Sequence, residues 1–369
     1  MSETNSCAIV GGGLAGFVAY ATLRHGGFSP AEIAVFGTDP DPTAQWRRRA
    51  GAIRQRRMRS ESDGHCAPRS FPGLAVRAAR RRRNPAPLVL SFLDRYHPTV
   101  EEFLAHTEEL RARSGWDESF RPQRVTRIRA VPDGFELDGS SVFAHVFVAT
   151  GHPGLNLPAE LRGDDRVIHA YEPHHYAPEV EIVGAGMAAA TEWLNALAAG
   201  STVISVRRRE PERRPLNLPR HFFTRRGLGS FHSSAPADRA EFLRRWSAPS
   251  YPPGRAWDEP VERARREGRF HVVSSPNGAG QIICATGFNR GYREDALLAD
   301  CVEEHGLPTH RGWIVLAPDS TVPALTDPMR TLSLAGVAGQ WAFPAADTLM
   351  GAKYAARGFL RRVLTCRSR

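Results

Sequence analysis

Gly11, Gly13 and Gly16 stand at the spacing G-x-G-x-x-G, between the short apolar run Ala8 to Val10 and an apolar stretch from Phe17 to Leu23. A strand, a glycine-rich turn and a helix in that order form a phosphate cradle. The first glycine makes the tight turn, the second lets a pyrophosphate approach the backbone, and the third allows helix and strand to pack closely. The helix N-terminus then offers free N–H groups and the positive end of its dipole. This unit constrains the fold to α/β with a mostly parallel, doubly wound sheet.

A second copy follows later in the chain. Glu181 to Val183 reads as a strand, Gly184, Gly186 and Ala189 spell G-x-G-x-x-A, and Ala190 to Ala199 continue as an apolar helix. Each unit is followed by a strand ending in Ala-Thr-Gly, at Ala149-Thr150-Gly151 and again at Ala285-Thr286-Gly287. Two Rossmann-like domains are therefore expected. The first is discontinuous, over 1–152 and 285–369, and the second, over 153–284, carries a loop-rich insertion at about 211–260.

An acid at the end of the second strand of such a unit binds the adenosine ribose. In the first unit that place is taken by Gly37, leaving Asp39 as a substitute or the backbone alone as the ribose contact. In the second unit Arg207, Arg208 and Arg209 stand there. Guanidinium groups there suit a ribose 2′-phosphate and favour NADPH over NADH, although three solvated arginines would read the same way.

The stretch from Gln45 to Gly73 reads as an irregular, arginine-rich active-site loop. Within it, Met58 to His65 gathers Ser60, Glu61, Ser62, Asp63 and His65 around Gly64, a set able to position a substrate or a cofactor ring, or equally a polar surface. Helical spacing marks Leu88 to Leu93 and Thr99 to Ser114, and short strands are expected over Gln123 to Arg129, Gly134 to Leu137 and Val142 to Ala149. An apolar strand runs from Thr331 into the glycines up to Gly339, and a helix is expected over Ala345 to Leu360.

The formal net charge of +10 raises the question of a polyanionic partner. Lys353 is the one lysine, so the charge is almost entirely arginine. No zinc spacing, helix-turn-helix pattern or aromatic-basic interleaving accompanies it, and a nucleic-acid partner is disfavoured. No window is long and apolar enough to span a membrane and no secretory signal is visible, so the cytoplasm is the expected compartment. The five cysteines show no paired spacing, which argues against a redox dithiol.

Taken together, Gly11 to Gly16, Trp46, Met58, the crossover from Ala149 to Pro158, His169, Tyr171, Gly184 to Ala189 and Ala285 to Phe288 resemble the two-dinucleotide-binding-domain flavoproteins. The likeness is greatest to the class B flavin monooxygenases, the group of flavin-containing monooxygenases, Baeyer-Villiger enzymes and ornithine or lysine N-hydroxylases. The resemblance implies FAD on the first unit and NADPH on the second. It implies that hydride passes to the flavin, that molecular oxygen adds as a hydroperoxyflavin, and that one oxygen atom reaches a nitrogen, sulfur or carbonyl carbon of a small-molecule substrate. It also implies FAD contacts at Trp46, Arg47, Met58, Arg59 and Val125, at Thr150 and Gly151, and at Gly336, Gln340 and Trp341. Ser62, Asp63 and His65 would serve the oxygen-reactive site. The closing motif of the family carries Gly-Asp where this chain has Gly336-Val337. A reductase or dehydrogenase without productive oxygenation, and a degenerate flavoprotein acting as a binding partner, remain alternatives. Whether the chain is a monomer or a homo-oligomer is open.

Overall fold

A computed structural model describes residues 6–69, 73–93, 96–214, 218–276 and 280–367. Its first sheet is wholly parallel and combines both ends of the chain. The strands are β1 (Cys7–Val10), β2 (Ile33–Gly37), β3 (Phe120–Pro122), β7 (His145–Val148) and β17 (Thr331–Leu334), in the order β17-β7-β1-β2-β3. All four residues of β1 are buried, as a strand covered on both faces requires. Helix α1 (Leu14–His25) packs along α12 (Leu349–Arg367) on one face, with Phe17, Tyr20, Leu23, Ala355, Ala356 and Phe359 in their shared core.

Between β3 and β7 an antiparallel sheet of β4 (Ile128–Val131), β5 (Gly134–Leu137) and β6 (Ser141–Phe143) packs toward the opposite face. Strand structure begins at Ile128, five residues later than the sequence reading placed it. The Asp138 carboxylate takes the preceding amides instead, accepting from the N–H groups of Thr126 and Arg127, each at 2.9 Å.

The second sheet is also parallel, in the order β13-β10-β9-β14-β8. Its strands are β8 (Val167–His169), β9 (Glu179–Val183), β10 (Thr202–Val206), β13 (Phe270–Val273) and β14 (Gln281–Cys284). Helices α7 (Met187–Ala198) and α10 (Arg255–Arg266) cover it around the buried Trp193. Two short connectors join the lobes and pair with each other: the Asn156 amide donates to the Gly287 carbonyl at 3.0 Å and the Asn289 amide to the Gly154 carbonyl at 2.9 Å.

Two segments are more regular than their sequence indicates. Helix α2 (Ala44–Ala52) occupies the start of the stretch read as a loop; Ala50 is its one buried residue, so no apolar period marks it. The insertion carries α8 (Arg225–Ser233) and α9 (Pro236–Trp246), with β11 (Glu212–Arg213) pairing β12 (Ser250–Tyr251). Helices α3 (Leu74–Arg82), α4 (Ala86–Phe92), α5 (Val100–Ser114) and α6 (Trp116–Ser119) precede β3. Helix α11 (Ala296–His305) and the hairpin β15 (Thr309–His310) with β16 (Trp313–Ile314) precede β17.

Candidate functional site

The two glycine loops have matching geometry. Gly11 has φ +117° and Gly184 φ +138°, and a Cβ on either would strike the carbonyl of the alanine opening the matching Ala-Thr-Gly, Ala149 in one lobe and Ala285 in the other. Gly16 presses on the Gly11 carbonyl in the same way, whereas Ala189 fits at the corresponding place in the second loop. The middle glycines differ in kind. Nothing lies within 4 Å of a Cβ on Gly13, and Gly186 meets only Pro249 at 3.9 Å. These two residues cap α1 and α7, and neither helix has a side-chain cap or an acid in its first turn. Both N-termini are thus open to an anion, and the residues fit a pyrophosphate at each loop.

Gly37 lacks its acid for a steric reason. A Cβ there would lie 2.9 Å from the backbone N and Cα of Gly12, so a side chain would displace the phosphate loop itself. Asp39 stands beyond the strand end, half-exposed, 3.6 Å from Arg48. Arg47 turns to Asp41 at 3.2 Å, and Trp46 packs edge-on against Phe103 at 5.1 Å. Met58 and Val125 are buried in the two cores of the first lobe. Gly151 has φ +82°, and Thr150 donates to Asp295 at 2.6 Å. Gly336, φ +66°, lies beside it, a Cβ there 3.8 Å from the Gly151 Cα. Gln340 and Trp341 point into the core at 4% and 1% exposure, Trp341 beneath the Arg239 guanidinium at 5.0 Å.

At the second loop the three arginines divide. Arg207 is buried against Trp193, with its centre 5.2 Å from the ring, and pairs with Glu210 at 2.8 Å. Arg208 and Arg209 are exposed at the strand end, Arg208 reaching Glu160 at 3.0 Å. Only these two are available to a ribose phosphate. Replacing both with leucine is expected to raise the KM for NADPH about 10- to 100-fold and to leave that for NADH within about twofold, from the loss of one or two charge-assisted hydrogen bonds. Steady-state titration with both nucleotides checks this. Equal loss for the two nucleotides would remove the 2′-phosphate contact.

Ser62, Asp63 and His65 come together between α3 and α12. The Ser62 hydroxyl accepts the Ala75 amide at 2.7 Å in the first turn of α3, and His65 Nδ1 accepts the Ala67 amide at 3.1 Å. The Asp63 carbonyl accepts from the Lys353 ammonium at 2.8 Å. Ser62 and His65 are 1% and 2% exposed. Lys353, equally buried, has its pKa pushed down to about 8 by burial. The cluster fastens the loop after α2 to α12.

Where the two Ala-Thr-Gly segments meet, the next residues form a stack. His152 and Phe288 lie 4.3 Å apart at 19°, and Tyr171 covers Phe288 at 4.7 Å and 13°. His169 stacks on Tyr171 at 5.6 Å, and the Arg49 guanidinium reaches Phe288 at 4.5 Å. Burial lowers the pKa of His152 to about 4, so the ring is neutral near pH 7, and burial raises that of Tyr171. Beside the stack Arg290 approaches Asp347 at 3.6 Å, and its guanidinium donates to the Ser247 hydroxyl at 3.3 Å. Arg49, Arg290 and Asp347 carried no signal in the sequence, because they come from separate segments with no shared spacing. Phe288 and His152 could have been found from their place directly after the two Ala-Thr-Gly segments.

No family model matches the chain, and no curated protein does. Solved structures do match over nearly its whole length. The ornithine N-hydroxylase KtzI of Kutzneria sp. 744, in complex with reduced FAD, NADP+ and L-ornithine, is 15% identical with a TM-score of 0.74, covering 98% of this chain and 99% of its own. The cadaverine monooxygenase DfoA of Erwinia amylovora, bound to FAD, is 12% identical with a TM-score of 0.74, over 98% and 94%. The bacillithiol disulfide reductase Bdr of Bacillus cereus is 15% identical with a TM-score of 0.59, over 99% and 100%. The fold is shared with these structures, the first lobe being built from both ends of the chain.

Proposed function

We propose that this chain is an FAD- and NADPH-dependent monooxygenase that oxygenates a small molecule, an amine nitrogen first among the candidates. The observation that carries the reading is the pair of open helix N-termini behind Gly13 and Gly186, whose loops abut the adjoining strand ends that bear the aromatic stack. Bound there, FAD would supply the oxygen-reactive ring and NADPH the hydride. The first lobe would hold FAD and the second NADPH, with Arg208 and Arg209 at its ribose. His152, Tyr171 and Phe288 shield the junction between the lobes from water, which a reactive oxygen adduct requires. His152, neutral near pH 7, accepts or donates a hydrogen bond there without adding charge. Solved structures of this fold named for ornithine and cadaverine support an amine as substrate.

The reductase reading has a solved counterpart of the same fold in a disulfide reductase, but Cys7, Cys66, Cys284 and Cys301 are buried and Cys366 is the one partly exposed thiol. Among the described residues no dithiol serves that chemistry. The test is an absorption spectrum of the FAD-loaded protein with NADPH, first without oxygen and then in air, with products assayed. Flavin bands that bleach and return, with NADPH consumed in step with an oxygenated amine, are expected. Stoichiometric hydrogen peroxide for every amine tried would favour the oxidase or reductase reading. A protein that takes up no FAD would overturn both.

A further inference from the structure

Arg59 lies in the loop after α2, between the lobes. Its guanidinium feels the charge of Arg214, from the insertion of the second lobe, and of Asp347, from the turn before α12. Nε and Nη2 of Arg59 are both sealed from solvent, and neither finds an acceptor among the described residues. These two nitrogens form the side-on fork of a guanidinium, the pair of parallel N–H groups that grips two oxygens of a carboxylate or phosphate at once. Asp347 is not within ion-pair reach of Arg59; its partner is Arg290. Arg214 is engaged with the Ala248 carbonyl at 2.8 Å and Glu212 at 3.2 Å.

A buried guanidinium with its fork empty is costly, because desolvation is uncompensated. Such a group is retained where an anion meets it. We propose that the Arg59 fork is an oxyanion subsite between the lobes that receives an acid group, a carboxylate or a phosphate, of a bound ligand. Three sources share that chemistry: the acid group of a small-molecule substrate, a phosphate of the nicotinamide nucleotide, and the pyrophosphate of FAD, to which the resemblance assigns Arg59. The substrate is favoured, since the N-terminus of α7 and the exposed Arg208 and Arg209 already serve the nucleotide's phosphates. The subsite stands on the sealed Arg59 fork; only the identity of its ligand rests on the proposed reaction.

The test starts from the full chain without FAD, so it remains informative if the monooxygenase reading fails. Thermal melts of the wild type, Arg59→Met and Arg59→Lys are recorded alone and with succinate, inorganic phosphate, NADP+ or FAD, and a gap that closes only with FAD assigns the fork to the flavin's pyrophosphate and overturns the substrate subsite. Arg59→Met is expected to melt about 2–4 °C above the wild type when no anion is present, because an unpaired buried charge has been removed. The wild type is expected to gain on that variant as anion is added, its apparent affinity at least tenfold tighter, with Arg59→Lys in between because an ammonium lacks the planar fork. A gap that closes with succinate but not NADP+ assigns the substrate as the source, and the reverse assigns the nucleotide. If Arg59→Met melts several degrees lower and no anion changes the difference, Arg59 is a structural residue and the subsite is excluded. Equal melting of all three proteins under every condition excludes it as well.

Discussion

Gly11→Ala is expected to cost both the fold and the cofactor, whereas Gly13→Ala costs the cofactor alone. At Gly11 a methyl group meets the Ala149 carbonyl and the backbone has φ +117°, so overpacking and left-handed strain act together. Each is worth about 1–3 kcal/mol, and the apoprotein should melt at least about 5 °C lower. At Gly13 φ is −80° and nothing lies within 4 Å of the added methyl group, so the apoprotein should melt within about 1 °C of the wild type. The same methyl group stands where a pyrophosphate would rest, and the loss of its amide contacts should weaken FAD binding on the order of 100-fold. Flavin fluorescence titration beside differential scanning calorimetry separates the two variants. Gly13→Ala protein with wild-type FAD affinity would remove the first loop as the FAD site.

Acidification is expected to destabilise the protein steeply between about pH 6.5 and pH 4. Burial lowers the pKa of His106, His145 and His152 from 6.5 to about 4. A group whose folded pKa lies below its unfolded value favours the folded state above the unfolded pKa and loses that contribution as pH falls through the folded one. At about 1.4 kcal/mol per pH unit, each of the three forfeits up to about 3 kcal/mol on that descent. His145 is the cleanest case: burial is the one cause acting on it, its Nδ1 has no acceptor among the described residues, and its ring meets Phe359 edge-on at 6.5 Å. His145→Phe should flatten the acid limb of a melting curve recorded against pH, and an unchanged slope would remove His145 as a contributor.

His174 works in the opposite sense. Its Nδ1 is 2.7 Å from the Glu172 carbonyl and its Nε2 2.9 Å from a Glu192 oxygen that also accepts the Tyr176 hydroxyl. Both nitrogens face oxygens, an arrangement that favours the doubly protonated ring. Burial opposes that charge, but the bonds to Glu192 and the Glu172 carbonyl together with the Glu192 charge outweigh it and raise the pKa. Its contribution is therefore present below about pH 6.5 and lost as pH rises through the folded value. The alkaline shoulder of the same melting curve should disappear in His174→Gln. Persistence of the shoulder would place its origin elsewhere.

Both glycine loops were legible in the sequence because they rest on local rules: a strand, a turn only glycine can make, then a helix. The insertion read as loop and helix, but the bounds of α8 and α9 did not, since each helix buries a single face. The acid lost at Gly37 looked like a missing contact in the sequence and is explained by the close approach of Gly12. Ser62 and His65 have the residue types of an active site, and the fold shows that each also accepts a backbone amide, from Ala75 and Ala67. Arg59 stands among the FAD contacts that the resemblance implies. Its empty fork is a property of three-dimensional surroundings that no spacing encodes.

Strand β17 and helix α12 complete the first sheet and cover α1, and both lie after the whole second lobe in the chain. During synthesis the first lobe therefore waits, with β7 unpaired along one edge and the face of α1 that α12 covers left open. The second lobe, contiguous from β8 to β14, can close on the ribosome first. The order of assembly would then invert the order of translation, and the nascent first lobe is the stage at which a chaperone is needed. Ribosome-bound chains halted before residue 331 should show a protease-resistant second lobe and a protease-sensitive first one. Resistance of the first lobe at that length would refute this order.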